Sequence, residues 1–181
     1  MSKRRQHKQT LFYLILIALM AALGIGAKPL IGTLAHLVTG PLAIPGGAMA
    51  GGIYMLFLVL AASLTGVRGA GTLCGFLQGL LAMVTGFGSH GAMSPLTYTL
   101  PGLAADLAFL LLARREVGLP ACFLAGMLAN IAGTVSVNYV FFSMPWLFLL
   151  LSLFAAGFSG GLGGVIAWNV TKKVKRWNVL K

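Results

Sequence analysis

Long apolar runs dominate this sequence, interrupted at intervals by glycine, proline and small clusters of charge. A helix that crosses the hydrocarbon of a bilayer needs roughly 20 residues. Breaks at Gly, Pro and charge predict six such spans, over residues 10–26, 46–64, 70–87, 95–113, 119–140 and 146–168. The expected fold class is an all-α membrane protein. Its six transmembrane helices form one compact bundle in a single integral membrane domain over residues 1–181, with both termini cytoplasmic. The segment 27–45 carries Lys28, Pro29, His36, Gly40, Pro41 and Pro45. It is too broken for a regular span and too apolar for a free loop, so it is expected to fold down over the outer end of the bundle. Gly86-Phe87-Gly88-Ser89-His90-Gly91 forms a second outer loop, and Ser143-Met144-Pro145 a short outer turn. There is no internal repeat and no low-complexity segment.

Composition agrees with lipid as the main solvent: 59% of the 181 residues are hydrophobic and 8% charged, with a mean hydropathy of +0.95. A soluble domain carries about a quarter charged residues. The net charge of +11 is distributed unevenly. Lys3-Arg4-Arg5/Lys8, Arg68, Arg114-Arg115 and Lys172-Lys173/Lys175-Arg176/Lys181 all fall on one side of the predicted topology. Basic clusters that recur after every second crossing are the mark of cytoplasmic loops. The charge therefore reports orientation in a prokaryotic plasma membrane, and nucleic acid is not an expected partner. Lys28 alone falls on the outer side, where it either meets an anionic substrate or snorkels to the headgroups. The basic start is expected to be a retained first span, since no A-x-A cleavage site with a soluble mature domain follows it. Cys74 and Cys122 stand apart, each suited to core packing.

Small residues recur four apart in three spans: Ala18, Ala22 and Gly26; Gly71, Gly75 and Gly79; Ala156, Gly160 and Gly164. Such stripes let helix backbones approach closely in lipid. For most of them packing within the bundle is sufficient reason. The first-span stripe could instead meet a partner protein if that span lies at the bundle's edge.

Asp106 is the single acid inside a span. A carboxylate near mid-bilayer costs a few kcal/mol, so it faces the interior and takes a partner. Two roles fit: a structural acid hydrogen-bonded to a neighbouring Asn or Thr, or a ligand contact. Gln78 and Asn130 lie at similar depth, while Asn138, Tyr98, Trp146, His36 and His90 lie toward the outer end. An outward-opening cavity floored by Asp106 gathers these groups, although Trp146 also fits an interfacial anchor. Catalytic patterns are weak. There is no HExxH, no usable GxSxG and no acidic pair, so the chain is not expected to be an enzyme and no cofactor is implied. His36 and His90 without a nearby carboxylate make a poor metal site. No Walker A sequence is present, which leaves ATP hydrolysis to other subunits.

The basic start, the Ala18-x-x-x-Ala22 pattern, the long apolar first outer loop and the basic tail together resemble a substrate-binding S component of an energy-coupling factor (ECF) vitamin importer. Gly40-Pro41, Gly86, Ser94-Pro95 and Asp106 look most like the YkoE-type subgroup, linked to thiamine or its hydroxymethylpyrimidine precursor. The resemblance implies a vitamin-like ligand bound from outside under lids at residues 27–45 and 86–95. It also implies docking through Ala18 and Ala22 onto a membrane coupling subunit driven by cytoplasmic ATPases. Two other classes remain: a membrane scaffold or assembly factor, and a small intramembrane enzyme using Asp106, His36 and His90.

Overall fold

The computed structural model describes residues 3–39, 46–88, 90–112 and 117–177. Six helices follow one another: α1 (Lys3–Thr39), α2 (Gly46–Thr65), α3 (Ala70–Thr85), α4 (Ser94–Leu112), α5 (Leu119–Val137) and α6 (Trp146–Arg176). Five contain stretches long and apolar enough to cross a membrane, while α3 is an apolar helix of 16 residues. At 1.5 Å per residue α3 rises about 24 Å, short of a ~30 Å hydrocarbon core.

The first correction to the sequence reading is at α1. The span expected to end at Gly26 continues as helix through Pro29 to Thr39. Proline lacks the N–H that would bond the carbonyl four residues earlier, at Ile25, a loss that membrane helices tolerate. Residues 40–45 of the expected lid lie outside the described part.

Helix α1 packs on α2 and α3; α2 and α5 flank α6, and α3 pairs with α4. The core is built from small side chains, with Ala21, Ala61, Ala105, Ala125, Ala129 and Ala167 buried almost completely. Backbones meet where glycine permits. A Cβ on Gly102 would lie 2.3 Å from the Gly71 carbonyl oxygen, and one on Gly160 2.3 Å from that of Gly126. Gly75 and Gly79 likewise face the α4 backbone at Tyr98 and Pro95. Two of the three stripes thus serve packing inside the bundle, α3 on α4 and α6 on α5. The first does not: Ile17, Ala21 and Ile25 of α1 face inward, whereas Ala18, Ala22 and Gly26 are exposed.

At one end, Ser63 and Thr171 share a 2.7 Å hydrogen bond that ties the C-terminal parts of α2 and α6 together. Arg68 and the Lys172–Arg176 cluster lie at this end. The opposite end is less tightly filled, and there the helices enclose a cavity.

Candidate functional site

Six helices contribute to a cavity of about 510 Å³, within the range of small-molecule sites. Each presents the part of its length farthest from the Arg68 turn. Lys28 and Gly32 come from α1, Tyr54 and Met55 from α2, Gln78 from α3, and Thr97, Tyr98 and Pro101 from α4. Asn130, Thr134 and Asn138 come from α5 and the turn after it, and Leu149 and Ser152 from α6. Phe87 and His90, from the loop before α4, complete the rim.

Of the residues expected from sequence at a binding site, Gln78, His90, Tyr98, Asn130 and Asn138 come together here. Trp146 does not; it is 73% exposed on the outside of α6. The backbone of His36 is in α1, and its side chain lies outside the described ones.

Asp106 is the second correction. It is absent from the cavity and sits at the other end of α3, where its carboxylate accepts hydrogen bonds from Gly71 N (3.0 Å), Thr72 N (2.7 Å) and the Thr72 hydroxyl (2.6 Å). The first N–H groups of a helix have no partner within it, and the helix dipole favours an anion there. Gly69, the residue before α3, is left-handed at φ 83° and offers no side chain to cap it. Asp106 supplies that cap from α4. Helix α3 begins two residues after Arg68, and Asp106 stands within two turns of the end of α4 at Leu112, so the acid lies level with the first turn of α3 and reaches it.

Asn130 is mainly a fastener. Its amide donates to the carbonyls of Ala48 (3.0 Å) and Ala156 (2.9 Å), joining α5 to α2 and α6. The Asn138 side chain accepts from Met144 N at 2.9 Å. This bond holds the π-helical turn Asn138–Phe142 against the start of α6. Gln78 is only 4% exposed, and its Nε2 has no hydrogen-bond partner. It packs against α1 at Gly24, where a Cβ would lie 2.3 Å from that nitrogen.

His90 clips two connections together. Its ring stacks on Phe141 of the π-helical turn, with centroids 5.1 Å apart and planes at 23°, and meets Tyr98 edge-on at 5.7 Å. Nδ1 lies 2.9 Å from Thr97 Oγ1. The Thr97 hydroxyl is directed at the carbonyls of Met93 and Ser94, so the hydrogen-bond network assigns Nδ1–H as donor and leaves Nε2 an acceptor. Burial, with the Lys28 charge as a second cause, pushes the His90 pKa down to about 4. The ring is neutral at physiological pH.

Lys28 reaches inward. Its Nζ donates to the Tyr98 hydroxyl and stands 4.1 Å from the Tyr98 ring centroid and 5.0 Å from that of Tyr54. Tyr54 was not expected from sequence. It lies in an apolar, glycine-rich helix whose inward face carries no periodic polar signal, and its position relative to Lys28 exists only once α1 and α2 are packed.

Residues 11–132, about two thirds of the chain, match the family model described as ABC-type cobalt transport system, permease component. The chain belongs to this family. No curated protein sequence matches it. In three dimensions it is similar to a crystal structure described as an S-component of ECF transporter. That similarity has a TM-score of 0.78 and 23% sequence identity, over 96% of this chain and 87% of that one. The fold is therefore that of an ECF S component, a multi-pass plasma-membrane protein. In this S-component fold the cavity lies at the end opposite the Arg68 turn, and Ala18, Ala22 and Gly26 are exposed on the outward face of α1.

Proposed function

We propose that this protein is the substrate-capture subunit of an ECF-type importer. It binds a small, vitamin-like organic molecule in the cavity beneath His90 and the π-helical turn. It then docks through the Ala18/Ala22 face of α1 onto a membrane coupling subunit, and cytoplasmic ATPases supply the work. The observation that carries this reading is a roomy cavity, walled by aromatic and amide side chains, at the end of the bundle away from its basic clusters. By the positive-inside rule that end faces outward and both termini face the cytoplasm. A cavity with one charged group and several hydrogen-bonding groups suits an organic molecule.

The family description names cobalt, and a bare divalent ion is the second reading. It fits less well. Divalent metals seek imidazole, thiolate or carboxylate in clusters, and no group of three or more His, Cys, Asp or Glu stands together among the described residues. An ammonium in the cavity also repels a cation. A thiamine- or hydroxymethylpyrimidine-like ligand keeps its aromatic walls but loses the acid that sequence alone assigned to its ring amine. The intramembrane-enzyme reading loses Asp106 as a partner for His90. A scaffold has no need of the cavity.

The test is reconstitution. The protein, purified with its coupling subunit and ATPases, should take up a small organic solute into vesicles in an ATP-dependent manner. A complex that forms and hydrolyses ATP, yet moves no solute from a broad vitamin panel or a cell extract, would overturn the reading.

A further inference from the structure

We propose that the cavity selects an organic anion, a small molecule bearing carboxylate or phosphate oxygens next to a flat or aromatic body, with Lys28 as its counter-charge. This rests on the capture reading above and assigns its substrate class.

Charge in the cavity is unbalanced. Among the described residues Lys28 is the one charged side chain lining the cavity. The chain has two acidic residues. Asp106 is committed to the start of α3, and Glu116 belongs to the stretch joining Leu112 to Val117, outside the described residues. An ammonium held among protein walls in a bilayer is expensive without a partner. The Tyr54 and Tyr98 ring faces offset part of this cost through cation–π attraction, but they supply no counter-ion.

Hydrogen bonding is unbalanced in the same direction. Gln78 Nε2 is a buried donor without an acceptor, and the Asn130 amide donors are already used. Gln78 packs on α1 at Gly24, one helical turn below Lys28 and on the same face. Four residues of α-helix rise about 6 Å. The Gln78 amide and the Lys28 ammonium therefore lie one above the other along the α1 wall, the ammonium lining the cavity. A charge left without a counter-ion costs more than the same charge matched by a ligand, so the missing counter-ion of Lys28 defines what enters. The tyrosine rings and the His90–Phe141 stack supply flat surfaces for the ligand's body. A cationic cargo can use the flat surfaces but supplies no counter-charge to Lys28.

The experiment uses the full chain in lipid nanodiscs. Matched probes separate charge from shape: pantothenate with panthenol, biotin with biotinamide, nicotinate with nicotinamide, and pyridoxal phosphate with pyridoxal. Thiamine is the cationic member. Melting temperature and equilibrium dialysis give the affinities, and mass spectrometry identifies any molecule that co-purifies. The expected result is that an anionic probe or co-purified anion binds. Its neutral counterpart should bind roughly 30-fold or more weakly, as loss of a desolvated charge partner implies. Lys28→Met should show a similar loss, with Lys28→Arg retaining most of the affinity. The three carboxylate pairs and the one phosphate pair distinguish the two sources of anionic oxygen. They also need no variant, so a misfolded Lys28→Met leaves the test intact. Thiamine or a neutral probe binding as tightly as any anion, or a neutral co-purified cargo, overturns the anion proposal while the capture reading stands. If no probe binds and nothing co-purifies, the capture reading falls and this proposal falls with it.

Discussion

Asp106 shows how one residue's role depends on where a neighbouring helix begins. An acid about a dozen residues into a span invites a ligand-binding role, but α3 begins beside it and takes both of its oxygens. Asp106→Asn keeps the shape but loses the charge and turns an amide N–H toward backbone donors. It is expected to destabilise the protein by about 1–3 kcal/mol, the range for a buried hydrogen-bonding group left mismatched. Asp106→Leu should be worse, and ligand affinity per folded molecule should hardly change in either. A thermal melt and a binding isotherm on each variant check this. A large loss of affinity with unchanged melting would return Asp106 to the site. His90 carries a pH prediction. Its pKa is about 4 in the fold and ~6.5 when unfolded, so the unfolded chain binds more protons between these values. The His90 contribution to stability is thus complete above about pH 6.5 and declines as pH falls toward 4. The melting temperature should drop over that window, and His90→Gln should flatten the drop. An equal slope in the variant assigns the effect elsewhere.

At the level of helices, glycine and alanine stripes have identical sequence patterns and opposite destinations. Gly102 and Gly71 let α3 and α4 cross almost backbone to backbone, so Gly102→Ala must push them apart. Overpacking of this kind costs about 1–3 kcal/mol, and it also draws Gly71 and Thr72 away from Asp106. Gly26→Ala meets nothing within 4 Å and should leave melting unchanged or slightly raised. Differential melting of the two variants checks the assignment. On the exposed face, Ala18→Trp or Ala22→Trp should leave folding and ligand binding intact but abolish co-purification with the coupling subunit, because an indole cannot fit where helices nearly touch. If both variants still co-purify, this face is lipid-facing only.

Across the whole molecule, topology is the property most easily tested. Cys74 and Cys122 are buried, so single cysteines placed at exposed Ser143 and Arg68 can be labelled with little background. Ser143→Cys is expected to react with a membrane-impermeant maleimide added outside intact cells, and Arg68→Cys only after permeabilisation. The reverse pattern would invert the orientation and place the cavity on the cytoplasmic side. The sequence by itself determined the class of fold and the number of helices, because hydrocarbon admits few backbone solutions and apolar runs of the necessary length are plain to read. It also separated Lys28 from every other basic residue. It placed Gln78 and Asn130 near mid-span and Tyr98 and Asn138 toward the outer end, because in an up-and-down bundle depth follows from counting residues along each span. Only the tertiary structure decided which of them face one another. Rotation of each helix about its axis is set by interlocking of small side chains, and no hydrophobic period marks it where lipid-facing and buried surfaces are equally apolar. For that reason Tyr54 could not be foreseen beside Lys28, and α1 continues past a proline that lipid-buried helices tolerate. For the same reason Asp106 caps a helix instead of flooring a cavity.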